Sequence, residues 1–311
     1  MKVTLKQLAY FRALAQAHNF GRAAELVNVT QPALSMQIKE LEGILGVALV
    51  ERLPRDVRLT RAGRDVLARA ERILSETMEL ETSARRQGLQ AALTLGMIPT
   101  IAPYLLPGTL ARLRAGDITR DLRLREAQTS DLLSGLRAGR LDAVVLADPV
   151  PAPDLVIAPL FQDRFVLAGS EGRLGALDQG HHALDPTALN PDHLLLLDDG
   201  HCLADQALAF CAIDRRQTRL DLGASTLSTL CGLVAQGFGL TLLPELAVRA
   251  EATGGQGIVL QRFGQPEPFR QIALLRRASS DGGTWFDDLA AHLCVAGQDL
   301  IAAARVRCAP M

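Results

Sequence analysis

The sequence has no uninterrupted apolar run approaching the roughly 20 residues of a membrane span. It also has no CxxC pair and no cysteine and histidine cluster with metal-ligand spacing. The first absence argues against a membrane-spanning chain and the second against a structural zinc site, so neither a metal nor a cofactor is expected. The opening MKVTLKQLAYFRALAQ is a charged amphipathic pattern unlike a signal peptide, and a cytoplasmic protein is expected. In that reducing compartment the five cysteines, at 202, 211, 231, 294 and 308, are poor candidates for permanent bridges. Any disulfide among them is conditional.

What is present is enough for two or three domains with a sizeable core: 311 residues, 48% of them hydrophobic. The formal net charge of -1 hides an asymmetry. Residues 1 to 90 carry 14 Lys/Arg against 10 Asp/Glu, and the remainder carries 19 against 24. The two parts are expected to meet different partners.

In the first part, Leu5, Leu8, Phe11 and Leu14 recur at helical spacing, followed by a break at HNFG, a short helix RAAELVNV and a third helix from TQPALSMQIKELEGILG. Thr30 is placed to cap the third helix and Pro32 sits in its first turn, while Leu34, Ile38, Leu41 and Leu45 form the inward stripe. Gln31, Ser35 and Lys39 remain on the outer side. An amide-bearing helix N-terminus suits the major groove, where Gln pairs with adenine and hydroxyls or backbone amides meet phosphates. Arg52, Arg55 and Arg58 follow in ERLPRDVRLT as a basic wing. The bland alternative is a three-helix domain with a solvated charged edge.

The run FGRAAELVNVTQPALSMQIKELEGILGVALVERLPRDVRLTRAG closely resembles the winged helix-turn-helix of LysR-type transcriptional regulators. The resemblance implies double-stranded DNA as a partner, and it puts Gln31, Pro32, Ser35 and Met36 at recognition-helix positions. Many relatives carry a polar or basic residue where Met36 stands. From Ala62 onward Val66, Ala70, Ile73, Thr77, Leu80 and Ala84 alternate at spacings of four and three, as in a dimerising coiled coil. A lone amphipathic helix packed on its own domain is the alternative. In the family this segment is the dimerisation linker.

Beyond QGLQAA, strands such as LTLGMI and DAVVLAD alternate with helical stretches, which implies a parallel α/β architecture. The Pro-rich DPVPAPDLVIAPLFQD suggests a crossing into a second lobe and RFGQPEPFRQIALLRR a return, and two such lobes frame a cleft. This resembles the two-lobed, periplasmic-binding-protein-like effector domain of the same family. The expected organisation is therefore an all-α winged helix-turn-helix over 1–61, a long linker helix over 62–89 and an α/β regulatory domain over 90–311. Its first lobe spans about 90–162 and 267–301, its second about 163–266. Thr100, Thr129 and Ser225 each stand near a strand end and a helix start, where they either cap or face a small polar ligand.

LLLLDD reads as a buried strand and HCLADQALAFC as a helix beginning after Gly200, with His201 and Cys202 in its first turn. Helix N-termini lower thiol pKa, a thiolate attacks peroxide to give sulfenic acid, and a second thiol condenses with that acid. Cys202 fits the first role and Cys211 the second. Nine residues of intact helix rise about 13 Å, whereas a disulfide brings Cα atoms to about 4.4 to 6.8 Å, so bond formation must unwind this helix. Two small buried apolar residues are the alternative.

LLLLDDGHCLADQALAFC, GMIPTIAPYLLP, EAQTSDLLSGLRAGRLDAVVLA and GFGLTLLPELAV resemble the peroxide-sensing members of the family. That resemblance implies hydrogen peroxide as signal, Cys202 as peroxidatic and Cys211 as resolving thiol, and Thr100, Thr129, His201, Asp205 and Arg270 around the peroxide. It further implies control of oxidative-stress defence genes, RNA polymerase as a partner and a homotetramer built as a dimer of dimers, with no enzyme activity. Ala204 departs from the pattern, since relatives commonly carry Arg there. Cys231, Cys294 and the tail residue Cys308 read as bystanders. A regulator answering a small metabolite through Thr100, Thr129 and Ser225, and a thiol peroxidase, are the rival readings.

Overall fold

The computed structural model describes residues 2–52, 56–88, 93–115, 122–177, 184–214, 216, 224–252, 257–280 and 283–309. The chain divides near residue 91 into two compact units.

The first unit contains α1 (Leu5–Ala17), α2 (Phe20–Leu26), α3 (Gln31–Leu45), β1 (Val50–Arg52), β2 (Val57–Leu59) and α4 (Arg61–Gly88). A reciprocal capping box starts α1: the Gln7 amide donates to Thr4 Oγ1 at 3.2 Å while the Thr4 amide donates to Gln7 Oε1 at 3.0 Å. The Asn19 side chain caps α2 by accepting from Gly21 and Arg22. Leu8, Phe11, Leu14, Leu34, Ile38 and Leu41 form the core with Ala23, Ala24 and Leu49. Leu5 and Leu45, expected inside, are exposed because each lies one turn beyond the packed helix surface. Thr30 holds the N-cap position of α3 with extended backbone, but its side chain makes no capping bond, so that expectation fails in detail.

Strands β1 and β2 pair antiparallel with Val50 opposite Leu59, forming the wing. Gly63 is required where α4 leaves it: a Cβ there would lie 2.1 Å from the Leu49 carbonyl oxygen. In α4, Val66 and Ala70 pack into this unit's own core, whereas Ile73 and Leu80 are 47% and 70% exposed. The first part of the expected coiled-coil seam is thus used internally and the next part remains an exposed apolar stripe. The side chain of Ala84 lies outside the described residues.

The second unit runs β3 (Leu93–Met97), α5 (Ala102–Ala115), β4 (Leu122–Glu126), α6 (Thr129–Arg137), β5 (Ala143–Ala147), β6 (Leu155–Gly169), α7 (Glu171–Gly175), α8 (Cys202–Cys211), α9 (Leu227–Ala235), β7 (Thr241–Pro244), α10 (Glu245–Glu251), β8 (Val259–Arg262), β9 (Phe269–Arg277) and α11 (Gly283–Arg307). One seven-stranded sheet has the order β4-β3-β5-β9-β6-β7, with β8 also on β6. Among these named strands β3, β4 and β5 pair in parallel, and the remaining strand pairs are antiparallel. The parallel α/β architecture expected from alternation holds for β3, β4 and β5, within a sheet that is mixed as a whole. The cause is that the outgoing strand β6 and the returning strand β9 lie side by side, from Leu155 opposite Arg277 to Arg164 opposite Phe269.

By length and composition α11, over Thr284–Arg307, is apolar enough to cross a membrane. In the fold it packs on α5, α10 and β6 and buries Phe286, Leu289, Leu293, Ala296, Ile301 and Ala304. Gly297 lets it press onto β6, since a Cβ there would sit 2.1 Å from the Phe161 ring.

Candidate functional site

On the first unit, Gln31, Pro32, Met36 and Lys39 are exposed along α3 and Ser35 is half-exposed. Met36 is 63% exposed, an apolar contact on an otherwise polar surface. Gln31 occupies the first turn, where the helix also presents backbone N–H groups. Arg58 on β2 is exposed and pairs with Asp56 at 3.2 Å. Arg52 belongs to β1, but its side chain, and Arg55 altogether, lie outside the described residues.

On the second unit, the site is built around the start of α8. Gly200 turns the chain with φ of +92°, and a Cβ there would lie 2.5 Å from Gln128 Oε1, so only glycine fits this turn. His201 follows at the N-cap with no side-chain capping bond, and Cys202 is the first helical residue. Thr129 opens α6, and its hydroxyl acts on the half-buried Cys202 thiol.

Arg270 on β9 is 0% exposed. Its Nε donates to Asp163 Oδ2 at 3.0 Å, and its Nη2 lies 2.9 Å from the same oxygen in an ion pair. Its Nη1 donates to Thr100 Oγ1 at 2.9 Å and its Nη2 to the Thr100 carbonyl at 3.1 Å. Asp163 in turn accepts from the Leu246 amide at 3.1 Å. The guanidinium also lies 5.9 Å from the centroid of Phe165, whose ring packs against Phe210 of α8.

These neighbours act on the Cys202 thiol in opposition. Burial pushes its pKa up and is the largest influence; Arg270 and the Thr129 hydroxyl pull it down, while Asp148 and Asp205 push it up. The direction is opposite to that expected from helix position alone, because burial is the largest influence on this thiol. Burial thus favours the neutral thiol, while a fixed cation and a hydroxyl beside it favour the thiolate.

Cys211 closes the same ten-residue helix and is buried, its thiol pushed up to about 11 by burial. Both cysteines are free. The intact helix keeps them about 13 Å apart along its axis, as the spacing requires. Ala204 is buried between them.

The structure thus brings Cys202, Thr129, Arg270 and Asp205 to one place, with Thr100 acting through Arg270 and His201 adjacent in sequence. Thr100 precedes α5 by two residues, with its hydroxyl and carbonyl both engaged by Arg270. Ser225 is exposed and outside α9, whose cap is Thr226. Cys231 is buried and pushed up to about 12, and Cys294 is half-buried with its thiol donating to the Leu160 carbonyl at 3.2 Å. Cys308 is no loose tail: it packs on the core and its carbonyl accepts from Arg262 at 3.1 Å.

Sequence reasoning missed Asp163, Asp148 and Gln206. Asp163 and Arg270 are 107 residues apart in sequence, and only the pairing of β6 with β9 makes them neighbours. Gln206 carried a signal, four residues after Cys202 on one helix face.

Residues 5–64 match the bacterial regulatory helix-turn-helix protein, lysR family, and residues 86–293 match the LysR substrate binding domain. The chain is 38% identical to the DNA-binding transcriptional dual regulator OxyR of Escherichia coli K12 over 290 residues, covering 93% of this chain and 94% of that one. Among solved structures it resembles a cysteine-to-serine mutant of Corynebacterium glutamicum OxyR in an H2O2-bound form, with TM-score 0.63, 34% identity, and 98% and 97% of the two chains covered. The oxidized form of the same protein aligns with TM-score 0.58 and 34% identity, covering 97% of this chain and 94% of that one.

Proposed function

Because the chain belongs to the LysR family of helix-turn-helix regulators, we propose that it is a DNA-binding transcriptional regulator switched by hydrogen peroxide, of the kind its relatives' names describe. The observation that carries the reading is Cys202 at the first position of α8, with the Thr129 hydroxyl and the buried Arg270 both acting on its sulfur.

The Cys202 thiolate attacks one oxygen of H2O2; the S–O bond forms as the O–O bond breaks, and hydroxide leaves to be protonated to water. The Cys211 thiolate then attacks the Cys202 sulfur; the S–S bond forms, the S–O bond breaks and a second water leaves. Two thiols supply the two electrons that reduce one peroxide to two waters. Thr129 and Arg270 hold negative charge at the attacking sulfur, while Thr100 and Asp163 fix Arg270. His201 and Asp205 border the peroxide.

Since α8 must unwind for the sulfurs to meet, oxidation becomes a change of shape in the regulatory domain. That change is transmitted to Gln31, Pro32, Ser35, Met36 and Lys39 on α3 and to the wing arginines Arg52, Arg55 and Arg58 through a homo-oligomer, a tetramer of paired dimers. Its output is activation of defence genes with RNA polymerase, in the cytoplasm where the chromosome lies. The boundaries that fit this reading are 1–61 for DNA binding, 62–89 for dimerisation and 90–311 for sensing, with crossovers at the β6 and β9 ends.

What weighs against the metabolite reading is that the Thr100 hydroxyl already accepts from Arg270 and that Thr226, not Ser225, caps α9. Peptide mapping of reduced protein treated with near-stoichiometric peroxide, with promoter footprints recorded in parallel, tests the proposal. A Cys202–Cys211 link with an altered footprint is expected; unreactive cysteines refute it.

A further inference from the structure

One carboxylate beside the thiol joins three elements. Asp148 ends β5 with φ of +44°, left-handed backbone that Asp and Asn tolerate better than other non-glycine residues. In that pose its Oδ2 accepts from Gln206 Nε2 at 2.7 Å, and its Oδ1 accepts from the Gln271 amide of β9 at 2.7 Å. Its own amide donates to the Gln271 carbonyl at 2.8 Å, which fixes the turn. Gln206 lies four residues past Cys202 and hence on the same face of α8. Its Oε1 is buried with no hydrogen-bond partner, so the bond from Nε2 to Asp148 is what anchors the amide. The helix that must open for the sulfurs to meet is therefore tied near its middle to the ends of two strands.

We propose that Asp148 is a positioning residue for the Cys202 sensor, holding α8 helical around the reduced thiol through Gln206 while presenting its negative charge to the sulfur. The inference rests on reading Cys202 and Cys211 as the redox pair. It adds a restraint that the pair must break: disulfide formation displaces Gln206 and releases Asp148. The charged groups acting on Cys202 are Arg270 from β9, Asp148 from the end of β5 and Asp205 from α8 itself, with His201 preceding it in sequence. Asp148 reaches the helix from another element and bonds to it through Gln206.

Two variants of the full-length reduced protein separate tether from charge. Gln206→Met removes the bond and keeps every charge and the helix propensity. Asp148→Asn tolerates the same backbone, still accepts from Gln271 and can bond Gln206 after an amide flip, but loses the charge. Hydrogen exchange of α8 amides and the pH profile of Cys202 alkylation by iodoacetamide are measured for each. Gln206→Met is expected to speed α8 exchange by roughly tenfold. Asp148→Asn is expected to move the alkylation profile toward acid and raise the rate at neutral pH roughly threefold to tenfold, the effect of one screened charge. Unchanged exchange in the first variant, or an unmoved profile in the second, overturns the proposal. Neither readout uses peroxide, so failure of wild-type protein to form the Cys202–Cys211 link registers separately, as failure of the redox reading.

Discussion

Replacing Arg270 by Met deletes a buried cation while roughly keeping side-chain volume. It removes two hydrogen bonds to Thr100 and the hydrogen-bonded ion pair with Asp163, leaving a fully buried carboxylate that still accepts from the Leu246 amide. Breaking one side of such a pair costs about 3–5 kcal/mol. The cost depends on pH with a definite sign. Burial already pushes the Asp163 pKa up, and Arg270 is the foremost group opposing it; without Arg270 it rises further. The folded variant then keeps a proton that the unfolded chain, with a carboxyl near the ordinary value of about 3.9, has released. Stability therefore falls as pH rises from about 4 toward neutrality, and the variant is least impaired in acid. Adding Asp163→Asn removes the stranded charge, so the double variant recovers all but about 1–2 kcal/mol. Its Cys202 alkylation stays slower than wild type, because the cation is still missing. Urea midpoints between pH 4.5 and 8, paired with alkylation rates, check both statements. A loss below about 1 kcal/mol at pH 7, a loss independent of pH, or no rescue by Asp163→Asn refutes the reasoning.

Cys211→Ser is expected to stop peroxide oxidation at a Cys202 sulfenic acid, trapped by a dimedone adduct in mass spectra, with no Cys202–Cys211 link. Because burial pushes the Cys202 pKa above its ordinary thiol value, its alkylation rate in wild-type protein rises with pH throughout the neutral range, and a plateau by pH 7 contradicts the site geometry. On the DNA side, Gln31→Ala loses about 1–3 kcal/mol of discrimination at one base pair, seen as relaxed preference in operator competition. Lys39→Ala weakens all sequences alike and lowers the salt slope by about one, measured by titration at several salt concentrations. Gly63→Ala drives a Cβ into the Leu49 carbonyl and lowers the melting temperature of the DNA-binding unit; an unchanged melt shows that α4 can shift away freely.

Local pattern carried the helices of the first unit, because Leu8, Phe11, Leu14, Leu34, Ile38 and Leu41 repeat at the helical period and all are buried. It failed at Leu5 and Leu45, where the pattern continues past the end of the partner surface. The start of α8 was legible from Gly200, His201 and Cys202, since a turn residue and a helix period lie side by side. The sign of the Cys202 pKa was not, because desolvation comes from side chains distant in sequence. Arg270 was legible only through resemblance, and Asp163 and Asp148 not at all: β6 meeting β9 supplies one, and a left-handed residue after a buried strand supplies the other.

The burial of Arg270 separates the molecule into two electrostatic regimes. A charge with no exposure, clamped by Asp163 and Thr100, is little screened by mobile ions. The exposed Lys39 and Arg58, proposed to meet DNA, would do so through counterion release, which weakens steeply as salt rises. Under the proposed function, a rise in ionic strength therefore loosens the grip on DNA without recalibrating the chemistry at the Cys202 thiol.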